Sequence, residues 1–542
     1  MATDPVLGSD FFERDDILGL LTKRLNAFKQ GYRQNMALLG ARSVGKSSIL
    51  QEFIARNSDP EIISIFMEVP QGSLELFLKR FMGGCLTGLL KSKREDLPHD
   101  VTGLIQRAKK YVPKTARHMR SVLRLINLER NDEAYREVLA LPRIMREEAG
   151  ARAIVVLDCF GDLENLPVRD PFGILGKEIM VDKDTLYLVA SSHPAKSRGI
   201  FREKLNLLFG NFEVFEIKNF DFDSAFRSIQ KRIGEGKISR AEQHFLVQMT
   251  DARPFYLKTI LDRILELLAL GNSQIVSKEI IFKAFSDEVL NFSGRIHSHF
   301  HCLYAMAPRQ KNYLSPIQVL AGIALGHRRI QKLAKHLNRR ITDTQKVLQK
   351  LLDEEVIQKE GSMYLIPDHL FRFWLRHVVS IGFLGFESDP KRRNQFFLNT
   401  LESQYRTYEE ELAKDLPKRV EELFRVFSGD TISIGSSKFL CPVFQDVISK
   451  PTNGRVFPVY ARSGKGSWLC QIASKPVREE DIRVFRDDVR KLRNKVHQRV
   501  VVALSGIDLN ATLMAKDSKI SVWDLKNFNT LLDIYDRPKV IL

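Results

Sequence analysis

Apolar residues in the first 220 positions follow two alternating patterns. Short continuous apolar runs, typical of buried strands, are separated by longer segments in which apolar residues recur every three or four positions, as on one face of a helix. The runs predict strands at 36–39, 62–69, 153–157, 185–190 and 213–217, and the spaced segments predict helices at 10–28, at 47–55 and throughout 73–150. This alternation favours an α/β fold with a mostly parallel sheet flanked by helices.

The pattern changes twice in the rest of the chain. Only helical spacing occurs from 222 to 301, and three short helices are then predicted at 317–325, 330–337 and 342–352. An apolar hairpin at 357–366 follows them, which is the layout of a winged helix-turn-helix. After a polar linker at 387–394 and further helices, strands are predicted at 431–434, 456–460, 468–472, 499–504 and 520–522, with a helix at 479–496.

Composition narrows the class of partner. The 542 residues include 84 Lys and Arg against 66 Asp and Glu, a net charge of +18 that favours a polyanion, nucleic acid first. The five cysteines are dispersed, so reduced thiols and a cytoplasmic location are expected. The most apolar stretch, 371–386, contains Arg372, Arg376 and His377, and the first 20 residues lack a signal-peptide pattern, so neither a membrane span nor membrane association is expected.

One motif in the first part of the chain indicates specific chemistry. Residues 40–47 match G-x-x-x-x-G-K-[ST] and lie between a predicted strand and a predicted helix. In such a loop backbone N–H groups turn toward phosphate oxygens, and the helix N-terminus adds partial positive charge. The candidate nucleotide-binding residues here are Gly40, Ala41, Arg42, Ser43, Val44, Gly45, Lys46, Ser47 and Ser48. Lys46 is expected to reach the β- and γ-phosphates and Ser47 to ligate a metal, so ATP and Mg²⁺ are the expected cofactors.

The second expected component is an acid at the end of an apolar strand, where it holds Mg²⁺ through its water shell. The run 153–157 ends in Asp158, which we assign to this role together with Ser47. The alternative interpretation is an aspartate that only caps the helix after the strand.

These segments resemble the archaeal-ATPase-like branch of the signal-transducing and origin-recognition AAA+ ATPases, over about residues 8–385. Residues 11–16 are similar to a family motif whose arginine, here Arg14, lies near the nucleotide. Residues 188–192 look like the polar sensor strand, and residues 250–257 resemble the lid motif. The resemblance therefore implies an AAA+ core and adds Arg14, Ser191 and Pro254 to the nucleotide-binding residues.

The chain departs from this family at residues that promote hydrolysis. Cys159 stands where the family usually has the glutamate that polarises the attacking water, and Gly210-Asn211 stand where it often has Gly-Arg. Losing either group removes transition-state stabilisation while sparing nucleotide binding. We therefore expect ATP to bind well and to be hydrolysed slowly. Asp162, Glu164, Arg198 and Arg202 are possible substitutes, although the spacing disfavours the first two.

The predicted winged helix is strongly basic. Residues 309–350 contain ten Lys or Arg and one acid, Asp343. The candidate nucleic-acid-binding residues, for bases or for phosphates, are Arg328, Arg329, Arg339, Arg340, Gln345, Lys346, Gln349, Lys350 and Lys359. The alternative is a packing or partner-binding module, which a winged helix often is in this family.

A second basic run lies in the helical insertion. Residues 107–124 contain seven Lys or Arg and no acid, and the candidates for phosphate contacts are Arg107, Lys109, Lys110, Lys114 and Arg117. The alternative is an ordinary solvated helix face. A different cluster, His297, His299, His301 and Cys302, does not converge on one helix face and predicts no metal site.

Residues 430–542 resemble restriction-endonuclease-like domains of the PD-(D/E)xK type. Active members need an acid before the hairpin turn and an acid-x-Lys on the next strand. This chain has Pro458-Val459-Tyr460 and Gln471-Ile472-Ala473 at those places. The resemblance therefore implies a degenerate nuclease fold kept for binding.

The sequence thus predicts a multidomain α/β protein. Its expected domains are a P-loop core at 1–220 with the insertion 73–150, a helical lid at 221–305, a winged helix at 306–385, a helical connector at 386–429 and the nuclease-like domain at 430–542. The favoured function is nucleotide-controlled binding of nucleic acid, with double-stranded DNA first, or control of assembly. The alternatives are a structural or sensor subunit of a larger complex, with protein partners or copies of itself, and, third, a metal-dependent nuclease.

Overall fold

A computed structural model describes residues 5–98, 100–205, 212–304, 314–383, 389–434, 437–449, 456–464, 466–473, 475–491 and 496–541. The predicted Gly210-Asn211 position lies outside these residues. The chain divides into two compact units, Met1–Ser224 with Arg253–Tyr256, and Ala225–Ala252 with Leu257–Leu542. Within the described ranges, every helix is too short or too polar to cross a membrane.

The first unit is built on a five-stranded, all-parallel sheet. Its strands are β1 (Asn35–Leu39), β2 (Ile62–Glu68), β3 (Arg152–Asp158), β4 (Thr185–Ser191) and β5 (Phe212–Glu216). The spatial order is β2-β3-β4-β1-β5. This confirms the predicted α/β class with a parallel sheet core.

Helices cover both faces of this sheet. They are α1 (Asp15–Lys29), α2 (Lys46–Arg56), α3 (Leu74–Ser92), α4 (Val101–Ala108), α5 (Pro113–Asn127), α6 (Asn131–Leu139), α7 (Leu141–Ala149), α8 (Pro171–Val181) and α9 (Pro194–Glu203). Side chains alternate between the faces along a strand, so Ile154 and Val156 share one core with α1 and α2, whereas Val155 and Leu157 share the other with α3. α3 lies so close to β2 that a Cβ on Gly88 would stand 2.4 Å from the Ser64 carbonyl oxygen.

The described residues between 222 and 425 are almost entirely helical. The helices are α10 (Phe222–Ile233), α11 (Arg240–Thr250), α12 (Pro254–Leu270), α13 (Lys278–Phe285), α14 (Arg295–Tyr304), α15 (Pro316–Ala324), α16 (Ile330–His336), α17 (Ile341–Asp353), α18 (His369–Trp374), α19 (Ser380–Phe383), α20 (Pro390–Ala413) and α21 (Leu416–Arg425). A hairpin of β6 (Gln358–Glu360) and β7 (Met363–Leu365) follows α17.

That hairpin is packed inside the second unit. The next strand is β8 (Asp430–Ile434), and a Cβ on Gly361 would lie 2.1 Å from the Thr431 carbonyl oxygen. The Glu360 carboxylate accepts a hydrogen bond from the Ser433 backbone N–H at 3.1 Å. The hairpin therefore contacts β8 at Glu360 and Gly361, while Gly361 and Ser362 in its turn are exposed.

The C-terminal part has a mixed sheet. Its elements after β8 are β9 (Ser437–Cys441), β10 (Asp446–Ser449), β11 (Val456–Ser463), β12 (Gly466–Ala473), α22 (Glu479–Lys491), β13 (Val496–Ala503), α23 (Leu509–Asp517), β14 (Ser521–Asp524) and α24 (Leu525–Ile534). β10 to β14 form the sheet in chain order, antiparallel up to β12 and parallel beyond it. α21 and α24 contribute to the core on one face, and α22 and α23 to the core on the other.

Sequence patterns missed β9, β10 and α23. β10 is a short edge strand in which only Val447 is buried. In α23 Leu509 and Leu513 are exposed while the small Ala511 and Ala515 are buried, which inverts the usual pattern.

Candidate nucleotide-binding site and basic surfaces

The phosphate loop leaves buried β1 and enters α2 through a conformation that requires glycine. At Gly40 a Cβ would lie 2.1 Å from the Ile217 carbonyl oxygen, and Gly45 has a φ of 94° at the N-cap of α2. The first N–H groups of α2 have no partner within the helix, so they are available to an anion.

Lys46 is the most buried charge in this loop. Its side chain is 6% exposed, and Nζ donates to the carbonyl oxygens of Gly40 at 3.0 Å and Ala41 at 2.7 Å. Burial lowers the pKa of Lys46 to about 8, although the nearby Asp158 carboxylate opposes this change. Among the described residues no carboxylate forms an ion pair with Nζ.

Ser47 and Asp158 meet at the carboxyl edge of the sheet. The Ser47 hydroxyl donates to the Asp158 carboxylate at 2.5 Å, and the other carboxylate oxygen accepts from the Cys159 backbone N–H at 2.8 Å. A hydroxyl and a carboxylate are oxygen donors of the type that Mg²⁺ prefers. The described residues contain no group of three or more metal-binding side chains, so bound Mg²⁺ would need phosphate oxygens and water to complete its shell.

Cys159 follows Asp158 at the end of β3 and is half-buried. Burial, followed by the charges of Asp158, Asp162 and Glu68, raises the pKa of its thiol to about 12. Because the thiolate is the reactive form of cysteine, this shift disfavours a nucleophilic role for Cys159.

Three further predicted residues lie around the loop. Arg14 donates to the backbone oxygens of Val44 at 3.3 Å and Lys218 at 2.5 Å. The Ser191 carbonyl oxygen at the end of β4 accepts from the Gly40 N–H at 3.3 Å. Ser48, in contrast, accepts from the Val6 N–H at 3.0 Å, so its hydroxyl faces the N-terminal segment.

The loop also contacts residues that the sequence did not single out. Arg253 donates to the Arg42 carbonyl oxygen at 2.9 Å, and the Phe255 N–H donates to the Ser43 carbonyl oxygen at 3.4 Å. His193 lies 3.3 Å from the Arg42 guanidinium, and burial together with that charge lowers its pKa to about 4. The signal for Arg253 was its place directly before Pro254, the first residue of α12.

The predicted nucleic-acid-binding residues in and next to α16, α17 and β6 fall into two groups, those that pair with acids inside the second unit and those that are exposed. Arg328 donates to the Asp536 carboxylate at 2.7 Å and to the Ile534 carbonyl oxygen, and Arg329 pairs with Asp430 at 2.5 Å. The other predicted residues are exposed: Arg339, Arg340, Gln345, Lys346, Gln349, Lys350 and Lys359. Gln349 bonds Asp353 at 2.8 Å, and Lys350 lies 3.9 Å from Glu354. The exposed group is thus most open at Arg339, Arg340 and Lys346.

The basic residues at 107–124 also divide into residues paired with an acid and residues that are exposed. Arg107 and Lys110 pair with Glu95, at 3.6 Å and 2.5 Å. Lys109, Lys114 and Arg117 are exposed and make no ion pair within the described ranges. Arg120 and Arg124 continue the exposed face of α5, and the sequence assignment stopped short of them.

The strand order β2-β3-β4-β1-β5 and the glycine loop between β1 and α2 give the first unit the fold of a P-loop nucleotide-binding core. No protein-family model matches the chain, and no curated protein matches it. Among solved structures, a Walker-type ATPase of Pyrococcus abyssi is 18% identical, with 69% of this chain and 99% of that chain covered and a TM-score of 0.46.

Two other solved structures have similar coverage. The ORC2 protein of Aeropyrum pernix is 12% identical over 70% of this chain and 98% of that chain, with a TM-score of 0.43. The RuvB Holliday junction branch migration motor of Thermotoga maritima is 11% identical over 71% of this chain and 99% of that chain, with a TM-score of 0.33. At such identities and scores these similarities carry no functional argument.

Proposed function

We propose that the first unit binds ATP with Mg²⁺ and hydrolyses it slowly. In this proposal the bound nucleotide controls the affinity of the second unit for double-stranded DNA. One observation supports nucleotide binding above the others. The charges of Arg42 and Arg253 both act on the buried Lys46, and Asp158 is the main acid that offsets them. Lys46 is buried beside the N-terminus of α2, and a phosphate group would be stabilised by this cation together with the backbone N–H groups of the helix.

Each residue has a place in this proposal. Bound Mg²⁺ would supply charge neutralisation at the phosphates. Lys46 and the N-terminus of α2 would bind phosphate oxygens, and Ser47 and Asp158 would hold the metal through oxygen donors. Arg253 would sense the phosphates, and the chain passes from the first unit to the second on either side of Arg253–Tyr256.

The DNA part of the proposal rests on α17 and the turn before it. Arg339, Arg340 and Lys346 are exposed, whereas the buried face of α17 is formed by Thr344, Val347, Leu348 and Leu351. These three cations fit phosphate contacts. We leave Arg328 and Arg329 out of this interface because their guanidinium groups are engaged by Asp536 and Asp430.

Nucleotide binding is tested by titrating a fluorescent ATP analogue into wild type and Lys46→Ala. We expect at least a hundredfold loss of affinity in the variant, since a buried cation that contacts phosphate is removed. Lys23→Ala, an exposed lysine of α1, is the matched control and should bind as wild type does. Equal binding by Lys46→Ala would refute the nucleotide site.

DNA binding is tested with a short duplex over a range of salt concentrations, with and without ATP. The variant Arg339→Ala/Arg340→Ala/Lys346→Ala should bind at least tenfold more weakly, with a shallower salt dependence, while binding ATP normally. Lys391→Ala/Arg392→Ala/Lys526→Ala removes the same charge from other exposed positions and should have little effect.

The second candidate function is a structural or sensor subunit in which ATP holds the fold and the basic segment binds a protein or another copy of the chain. The contact between β8 and the β6–β7 hairpin favours it, because that contact occupies part of the surface that a wing would offer to DNA. Tight nucleotide binding without DNA binding at low salt would select this function. A nuclease is not proposed, since Val459, Tyr460, Gln471 and Ile472 offer no acid on the strands where active members carry it.

A further inference from the structure

Hydrolysis of ATP requires a group that polarises the attacking water, and the position after Asp158 does not supply one. Cys159 stands at that place and has no carboxylate. Its sulfur nevertheless lies within the electrostatic reach of three carboxylates, Asp158, Asp162 and Glu68. Asp158 is engaged by Ser47, which leaves the other two as candidates for a role at the reacting phosphate.

Glu68 is placed beside Asp158 by the register of the sheet. β2 and β3 pair in parallel, and Glu68 and Asp158 are the last partners of the ladder. Neighbouring strands lie about 4.8 Å apart, and paired residues project from the same face. That face carries α2, because Val156, two residues before Asp158, packs in the core that contains Ile49 and Phe53. Glu68 thus leaves the same edge and the same face as the predicted metal ligand.

The Glu68 carboxylate is also available. The residue is exposed, and its backbone carbonyl oxygen accepts a hydrogen bond from the Arg80 guanidinium at 3.3 Å. No described residue forms an ion pair with its side chain. A free carboxylate at the edge of the site can hold a water molecule, whereas one that is already neutralised cannot.

The rival acids are engaged. Glu164 pairs with Lys196 at 2.7 Å and with Lys204 at 2.6 Å. Asp162 is half-buried, and burial raises its pKa, although the Arg42 charge, a hydrogen bond with Gln71 and the Lys196 charge oppose this change. Asp162 therefore remains the main rival, and it lies on the 3₁₀ turn Phe160–Asn165 rather than on a strand.

We propose that Glu68 takes the place of the missing glutamate and orients the water that attacks the γ-phosphate. This role rests on the ATP binding proposed above. The water oxygen bonds to the γ-phosphorus while the bond to the β,γ-bridging oxygen breaks, giving ADP and inorganic phosphate. Glu68 accepts one proton of the water and returns it to the phosphate or to solvent. Because Glu68 acts from the neighbouring strand, the proposal also accounts for slow turnover.

The test is single-turnover hydrolysis of ATP with protein in excess, in wild type, Glu68→Gln and Asp162→Asn. Removing a general base costs about a hundredfold or more, so Glu68→Gln should slow hydrolysis by at least that factor. Asp162→Asn should stay within about threefold of wild type. Glu61→Gln, an exposed acid one residue before β2, is the matched control.

A second readout separates hydrolysis from binding. Glu68→Gln should bind the fluorescent ATP analogue in Mg²⁺ within about threefold of wild type, and after gel filtration it should retain ATP where wild type retains ADP. The proposal is overturned if Glu68→Gln hydrolyses like wild type, if Asp162→Asn shows the large loss instead, or if wild type binds ATP without hydrolysing it. Absence of ATP binding in wild type, in contrast, would refute the nucleotide site itself together with this role.

Discussion

Each unit buries a cluster of charged side chains, and the two clusters are balanced differently. In the first unit Lys46 is buried among backbone oxygens, and its pKa is lowered by burial. In the second unit Arg372 is 5% exposed and donates to Asp533 at 2.6 Å, with Asp536 at 3.5 Å. The buried cation of the first unit is held by backbone oxygens, whereas that of the second unit is held by carboxylates in a closed cluster.

The closed cluster joins several segments of the second unit. Asp536 also accepts from Arg328 at 2.7 Å and Arg376 at 2.9 Å, and Lys539 pairs with Asp251 at the end of α11. A buried charge that has its partners holds the fold, while a buried charge that lacks them leaves capacity for a ligand. The same distinction separates Arg328 and Arg329 from the exposed cations of α17.

The largest effect on stability is expected when Arg372 is removed from the closed cluster of the second unit. Arg372→Met removes the main partner of the Asp533 carboxylate, which is 23% exposed, and should lower the free energy of unfolding by about 3 kcal/mol, the lower end for a buried ion pair. All three tryptophans, Trp374, Trp468 and Trp523, lie in the second unit. Their fluorescence therefore reports its unfolding in denaturant. Arg392→Ala, at an arginine with 79% of its side chain exposed, is the control and should change little. An Arg372→Met protein as stable as wild type would show that the cluster is not structural.

The same cluster predicts how acid acts on the second unit. Burial raises the pKa of Asp533, but the charges of Arg372 and Lys539 outweigh it and hold that pKa well below the usual range. The carboxylate therefore contributes stability above its unfolded pKa of about 4, and this contribution is lost as pH falls below that value. Asp533→Asn should flatten the tryptophan-monitored stability profile in acid.

The next effect has the opposite sign. The folded pKa of Lys46, about 8, lies below the unfolded value of about 10.5, so the charged form costs roughly 3 kcal/mol at neutral pH. Lys46→Met removes this cost, but it also removes the two hydrogen bonds that Nζ donates. We therefore expect the free energy of unfolding of the ligand-free first unit to rise by about 1–2 kcal/mol. Hydrogen exchange of the backbone amides in β1 and α2 measures this change in stability. Wild type should itself gain stability as pH rises from about 8 to about 10.5, because the unfolded chain binds more protons there.

The contrast between the clusters also marks what the sequence could predict. The phosphate loop could be predicted because the local backbone geometry at Gly40 and Gly45 requires glycine. The strand before Asp158 could be predicted because its buried positions require apolar residues. The pairing of Arg372 with Asp533 spans 161 residues, and no local pattern encodes it. The assignment of Arg328 and Arg329 to nucleic acid used charge alone, and their partners Asp536 and Asp430 lie over 200 and about 100 positions away.

The smallest effects distinguish a paired surface arginine from a free one. Arg329 is 34% exposed at the side chain, and its partner Asp430 is 1% exposed and also accepts from Ser428, so Arg329→Ala should lower the stability of the second unit by about 2 kcal/mol and leave DNA affinity nearly unchanged. Arg340 is exposed at the N-cap of α17. Arg340→Ala should change stability by less than about 0.5 kcal/mol and weaken duplex binding about threefold, in line with the loss of one phosphate contact. Tryptophan-monitored unfolding and the duplex titration measure both quantities on both variants. If the two substitutions weaken DNA binding equally, the internal partner of Arg329 does not decide its role, and the distinction between paired and free charges fails for this surface.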